Sequence, residues 1–227
     1  MTKAQKINAN LNIKQMKKAT THFWTWFLQH KNKLKNLMSL NHKEQKHYLF
    51  WLDWHLQFYF PGIEYIIVFP KVKKKKTQLM LSARGKLELF HMAIELEKTA
   101  PQLWDWKFTA LIQPRQDIDD MEAGLDEPYI FQDITLKTSD LKFIPFEYDG
   151  EKKIDMIVYL KNFTIYSHNK NLPTLIKIMI QNLLGEKSMA ENINFVQLAQ
   201  MPEQENDELI YLYDLQYYLD DINNANK

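Results

Sequence analysis

The chain has 227 residues, is 45% hydrophobic and 13% aromatic, and carries a formal net charge of +1. This composition supports a real core, excludes a disordered chain, and leaves no strong overall field to draw in nucleic acid or a membrane. With no cysteine, disulfide frameworks, thiolate catalysis and cysteine-ligated zinc are excluded together.

Residues 1–20 read as a frayed basic lead. Thr21 suits an N-cap for a helix from His22 to about Met38, with Phe23, Phe27, Leu34 and Leu37 along one side. Asn41, followed by Glu44, fits a capping box. It opens a second helix that ends at Pro61-Gly62. Tyr48, Phe50, Trp51, Trp54, Phe58, Tyr59 and Phe60 make that helix apolar nearly all round. The pattern predicts burial on more than one side.

Ile63–Phe69 is a β-branched and aromatic run, which predicts a strand covered on both faces. After the Lys71–Lys76 run, Thr77–Ala83 reads as a strand with Leu79, Leu81 and Ala83 on one face. Arg84-Gly85-Lys86 breaks it. Leu87–Thr99 takes helical spacing, with Leu89, Phe90, Ala93 and Leu96 as its stripe. Trp104–Gln113 alternates as a half-buried strand, ended by Pro114.

Arg115–Glu127 reads as a long exposed acidic loop, and Tyr129–Lys137 as a strand. Lys142–Tyr148 contains Pro145, which suits an edge or a bulge, and Asp149-Gly150 is a hairpin turn. Ile154–Leu160 alternates as a strand, and Asn162–Asn171 reads as a loop. Pro173 starts an apolar helix that Gly185 caps. Phe195–Ala199 is a strand, and Asp207 to about Leu219 a last helix.

Strand, strand, helix, strand thus occurs at 63–114 and again at 142–202. The expected fold is α+β in a single domain, 1–227. A helical hairpin over 21–60 covers two β-β-α-β units of mainly antiparallel sheet, and a helix over 207–220 closes the chain. No segment approaches the ~20 apolar residues of a membrane span, and no leader-like apolar core is present. The expected location is cytoplasmic.

No motif carries a specific chemistry. The seven histidines include no i,i+4 pair, and Glu44-x-x-His47 is half of a di-iron pattern that lacks its partner. Counted from Asp117, the acidic loop puts Glu122 and Pro128 where a calcium loop needs Gly and Glu. No catalytic residue, metal or cofactor is expected. The Lys71–Lys76 hairpin offers phosphate contacts, but without exposed aromatics it reads as a solvated tip.

Ser82–Gly85 ends a strand before a helix, where Arg84, Gly85 and Lys86 suit a weak anion site. Glu64 and Glu147 lie in analogous strands. A pocket between sheet and helices would use Glu64, Arg84, Gly85, Lys86, Trp104, Trp106 and Arg115 as binding candidates. Arg84 and Arg115 are the chain's two arginines.

Phe23-Trp24-x-Trp26-Phe27, Leu81-Ser-Ala-Arg-Gly85 before Leu89-Phe90, then Ala100-Pro101 and Trp106 resemble a family of uncharacterised bacterial cytosolic proteins of similar length. The resemblance implies the α+β fold and the compartment. It implies no activity.

The first functional expectation is a non-enzymatic interaction protein that binds another protein through a sheet face or the aromatic helical cover, as an immunity protein or inhibitor does. The alternatives are a small-molecule binder or enzyme with a pocket between sheet and helices, and a weak nucleic-acid binder through the lysine hairpin.

Overall fold

In the computed structural model of the protein, α1 spans Lys3–Lys35. Residues 3–70, 75–115, 117–204 and 207–225 are described. Most of the expected lead is therefore helix, and Thr21 is no cap: its hydroxyl donates to the Lys17 carbonyl inside α1 at 2.8 Å. Lysine and alanine carry the helix through a stretch whose apolar spacing is too sparse to signal it. The chain divides into two compact units, Met1–Leu111 and Ile112–Lys227.

In the first unit, α2 (His42–Tyr59) opens as expected: the Asn41 side chain accepts from the Glu44 N–H at 3.0 Å. Its amide donates to the Glu44 carboxylate at 2.7 Å. A column of stacked rings joins α1 to α2. Trp26 stacks on His30 and on His55, and Tyr59 stacks on His55 and on His22.

The unit's sheet is β1 (Glu64–Val68), β2 (Thr77–Ser82) and β3 (Trp106–Ala110), in that order, with α3 (Phe90–Lys98) between β2 and β3. β1 and β2 are antiparallel, while β2 and β3 are parallel. Leu79, Leu81 and Ala83 are fully buried. Phe23, Phe27 and Leu34 of α1 are equally inaccessible. Each such leucine or phenylalanine contributes roughly 1.5–3 kcal/mol by leaving water. Trp24 ties α1 to α3, its indole donating to the Leu96 carbonyl at 3.0 Å.

Two expectations fail in this unit. β1 is an edge strand, and Glu64, Ile66 and Val68 lie exposed on one face, so it is not covered on both sides. Trp104 precedes β3 and is 80% exposed, while Trp106 and Phe108 lie in the strand with parallel rings. Leu111, at φ 61, turns the chain out of the strand early.

The second unit repeats the connectivity. After α4 (Ile118–Glu122) come the hairpin strands β4 (Tyr129–Phe131) and β5 (Ile134–Leu136). The expected single strand over 129–137 is therefore two strands, folded back at Gln132, whose φ is 56. The acidic segment is also more ordered than a loop, with Met121 and Asp126 buried.

Then follow β6 (Lys142–Phe146), β7 (Ile154–Leu160), α5 (Phe163–Tyr166), α6 (Leu172–Asn192) and β8 (Ile193–Gln200). β9 (Ile210–Tyr211) and α7 (Leu215–Ala225) end the unit. The sheet order is β8-β7-β6-β9. β6 and β7 are antiparallel, while β7 and β8 are parallel. Ile154, Met156, Val158 and Leu160 form the buried face that α6 covers.

β6 is thus an inner strand. Pro145 is tolerated because β9 pairs only with Lys142 and Phe143, leaving its missing N–H without a strand opposite. The expected last helix begins late, because residues 210–211 are drawn into the sheet as β9. α6 is two helical segments, and the first ends at Gly185 as expected, at φ 77, ψ 159; the second runs on to Asn192. No helix among the described residues is long and apolar enough to cross a membrane.

Candidate functional site

α2 buries only Leu52 and Leu56, and the chain's next deeply buried side chain is Phe60 just beyond it. The expectation of burial on more than one side is therefore wrong. Phe50, Trp54 and Phe58 recur every four residues and form one outward ridge, 60%, 42% and 63% exposed. Trp54 and Phe58 stack with centroids 5.0 Å apart, and Trp51 packs edge-on against both Phe50 and Trp54. Lys43, Lys46 and His47 are exposed at the ridge's amino end. The spacing was readable in the sequence, but the number of aromatics hid which of them lacked a neighbour.

Beside the ridge, Asp53, Gln57, Gly62, Glu64, Tyr65, Arg84 and Lys86 line an open polar depression of about 450 Å³. Its floor is built by Gln57, which accepts from the Gly62 N–H at 3.0 Å and donates to the Ile63 carbonyl at 2.7 Å. Gly62, at φ 88, holds a conformation that favours glycine, and a Cβ there would lie 2.8 Å from Leu89 Cδ1, which would have to shift. The Tyr65 hydroxyl donates to the Leu49 carbonyl at 3.3 Å. Burial, reinforced by the Asp53 charge, pushes its pKa up to about 12, so it remains a neutral donor.

The far wall is the turn after β2. Lys86 N–H donates to the Ala83 carbonyl at 3.1 Å, and Arg84 and Gly85 both have positive φ, 55 and 73. The Ser82 hydroxyl accepts from the Arg84 N–H at 3.1 Å. Arg84 Nη1 reaches Glu64 Oε1 at 3.1 Å across the β1–β2 end. Both groups are more than half exposed, so the pair positions the guanidinium more than it stabilises the fold.

Of the residues singled out in the sequence, Glu64, Arg84 and Lys86 therefore meet at one place, with Gly85 in the same turn. Asp53, Gln57 and Tyr65 join them although nothing in their spacing pointed there. The rest lie elsewhere. Trp106 is buried in the sheet, and Trp104 stands exposed with Lys35 4.7 Å over its ring. Arg115 belongs to the second unit, where it pairs with Asp117 and donates to the Tyr129 hydroxyl at 2.9 Å. That pairing holds the Asp117 carboxyl below its ordinary range. Glu147, also in the second unit, accepts from Tyr218 at 2.5 Å.

Among the described residues no group of three or more acids and histidines is arranged to hold a metal. Lys71, Lys73 and Lys74 lie outside the described residues. Lys76 donates to the Leu103 carbonyl at 2.9 Å. Comparison with family models, with curated proteins and with solved structures finds no match.

Proposed function

We propose that this is a non-enzymatic interaction protein that docks an apolar segment of another protein on the outer ridge of α2. One observation carries the reading: Phe50, Trp54 and Phe58 stand exposed on a single ridge, Trp54 stacked on Phe58 and Trp51 edge-on against Phe50 and Trp54. A contiguous aromatic patch is costly to leave in water and marks a surface of association. Tryptophan-centred clusters with a polar rim are where binding energy concentrates. Lys43, Lys46 and His47 supply that rim. An immunity or inhibitor role fits the proposal.

The test compares tagged wild type with the triple variant F50A/W54A/F58A in pull-downs from native lysate. The expected result is one stoichiometric protein held by wild type and lost by the variant, whose melting temperature is unchanged or raised. Retention of that partner by the variant would refute the proposal. So would a wild-type homodimer that the variant converts to monomer, since the ridge would then serve self-association.

A further inference from the structure

The depression beside the ridge is lined by charges of both signs. Asp53 stands on α2, while Arg84 and Lys86 stand on the turn after β2, with Glu64 paired to Arg84. The Asp53 carboxylate and the Lys86 ammonium have no hydrogen bond or ion pair among the described residues.

Arg84 is an unusual choice at its position. The turn needs two consecutive positive-φ residues, which Gly and Asn supply most easily. A residue with a longer side chain there costs about 1 kcal/mol. Of the chain's 29 lysine and arginine residues, only those at 84 and 115 are arginine. The planar fork of arginine matches a carboxylate as lysine does not. A strained backbone holding a scarce fork beside an open cavity points to recognition.

The charge balance narrows the ligand. Two acids and two bases line the walls, so a simple anion meets Asp53 and Glu64, and a cation meets Arg84 and Lys86. A molecule carrying both charges leaves fewest groups uncompensated as water is displaced. The volume lies toward the small end of ligand sites.

We infer that the depression binds a small zwitterion of the free α-amino-acid class. Arg84 and Lys86 take its carboxylate, Asp53 takes its ammonium, and Glu64 holds the guanidinium in place. This site is distinct from the aromatic ridge and does not depend on a protein partner.

The experiment is ligand-observed NMR and calorimetry on the full chain with each of the twenty amino acids, their N-acetyl derivatives and their amides. At least one free amino acid should bind saturably, and either derivative should bind about tenfold or more weakly. Asp53→Asn should weaken the free amino acid but not its N-acetyl derivative. Lys86→Met should weaken the free amino acid but not its amide. Arg84→Lys should weaken carboxylate binding while keeping the charge; if it fails to fold, the other two variants decide.

F50A/W54A/F58A should bind the amino acid as wild type does, which separates this site from the protein-docking ridge. No binding by any of the twenty at roughly 10 mM, a level at which even a millimolar ligand saturates, overturns the inference. Equal binding of the free and N-acetyl forms also overturns it.

Discussion

Gly185→Ala should be among the most damaging single substitutions in the second unit, although it adds one methyl group. Gly185 sits at φ 77, ψ 159 in the kink of α6, a backbone region almost reserved for glycine. Forcing alanine into it costs about 1–3 kcal/mol. The methyl also has nowhere to go. It would lie 2.9 Å from Pro114 Cδ and 3.1 Å from both Ile112 O and Pro114 N.

Two of those three neighbours are backbone atoms, and they are fixed. The Ile112 carbonyl accepts from the Glu186 N–H at 2.7 Å, and the Ile112 N–H donates to the buried Glu186 carboxylate at 3.1 Å. Arg115 N–H donates to the Asn182 carbonyl at 2.8 Å. Relief would require breaking this seam, so overpacking adds about 1–3 kcal/mol more.

Gly150→Ala and Gly124→Ala are the controls. Their φ values are 80 and 67, yet nothing lies within 4 Å of an added Cβ. They should lose only about 1 kcal/mol. Urea denaturation followed by far-UV circular dichroism measures the gap, expected to be about 3 kcal/mol by combining these costs. All six tryptophans lie between Trp24 and Trp106, so their fluorescence reports the first unit and serves as a separate readout. If Gly185→Ala and Gly150→Ala differ by less than about 1 kcal/mol, the close approach does not carry the energy argued for it.

Three further substitutions test other parts of the molecule. Desolvation first, and then the His30 charge, hold the His55 pKa below its ordinary 6.5. The folded chain then binds fewer protons than the unfolded one, so stability is complete above pH 6.5 and falls as pH drops below it. His55→Phe keeps the stack on Trp26 and should flatten that fall in urea melts across this range; an unchanged slope would assign it to other groups. Asn41→Ala removes the cap of α2 and should cost about 1 kcal/mol, read as a lower urea midpoint at unchanged slope. Asp126 is buried and accepts from Thr138 N–H, Ser139 N–H and the Ser139 hydroxyl. Asp126→Ala strands those donors and should cost about 3 kcal/mol; a loss under about 1 kcal/mol would mean that water replaces the carboxylate.

Periodicity alone determined much of this protein. Leu79 and Leu81 on one face of β2 with Ala83 just beyond it, the alternation of β7, the Asn41 cap and the β-β-α-β connectivity of both units are written in local spacing. Local spacing reports which residues can share a face. It does not report whether anything covers that face. The sequence therefore marked Phe50, Trp54 and Phe58 as core, and β1 as doubly buried, when tertiary packing left both partly in water. The same limit hid Asp126, whose partners lie twelve and thirteen residues on, and the close approach of the Ile112–Pro114 backbone to Gly185, a residue legible only as a helix end. Glu64, Arg84 and Lys86 were legible because a strand end and a glycine turn announce themselves. Asp53, Gln57 and Tyr65 were not, because the packing of α2 against β1, a contact between elements, is what brings them to the same depression.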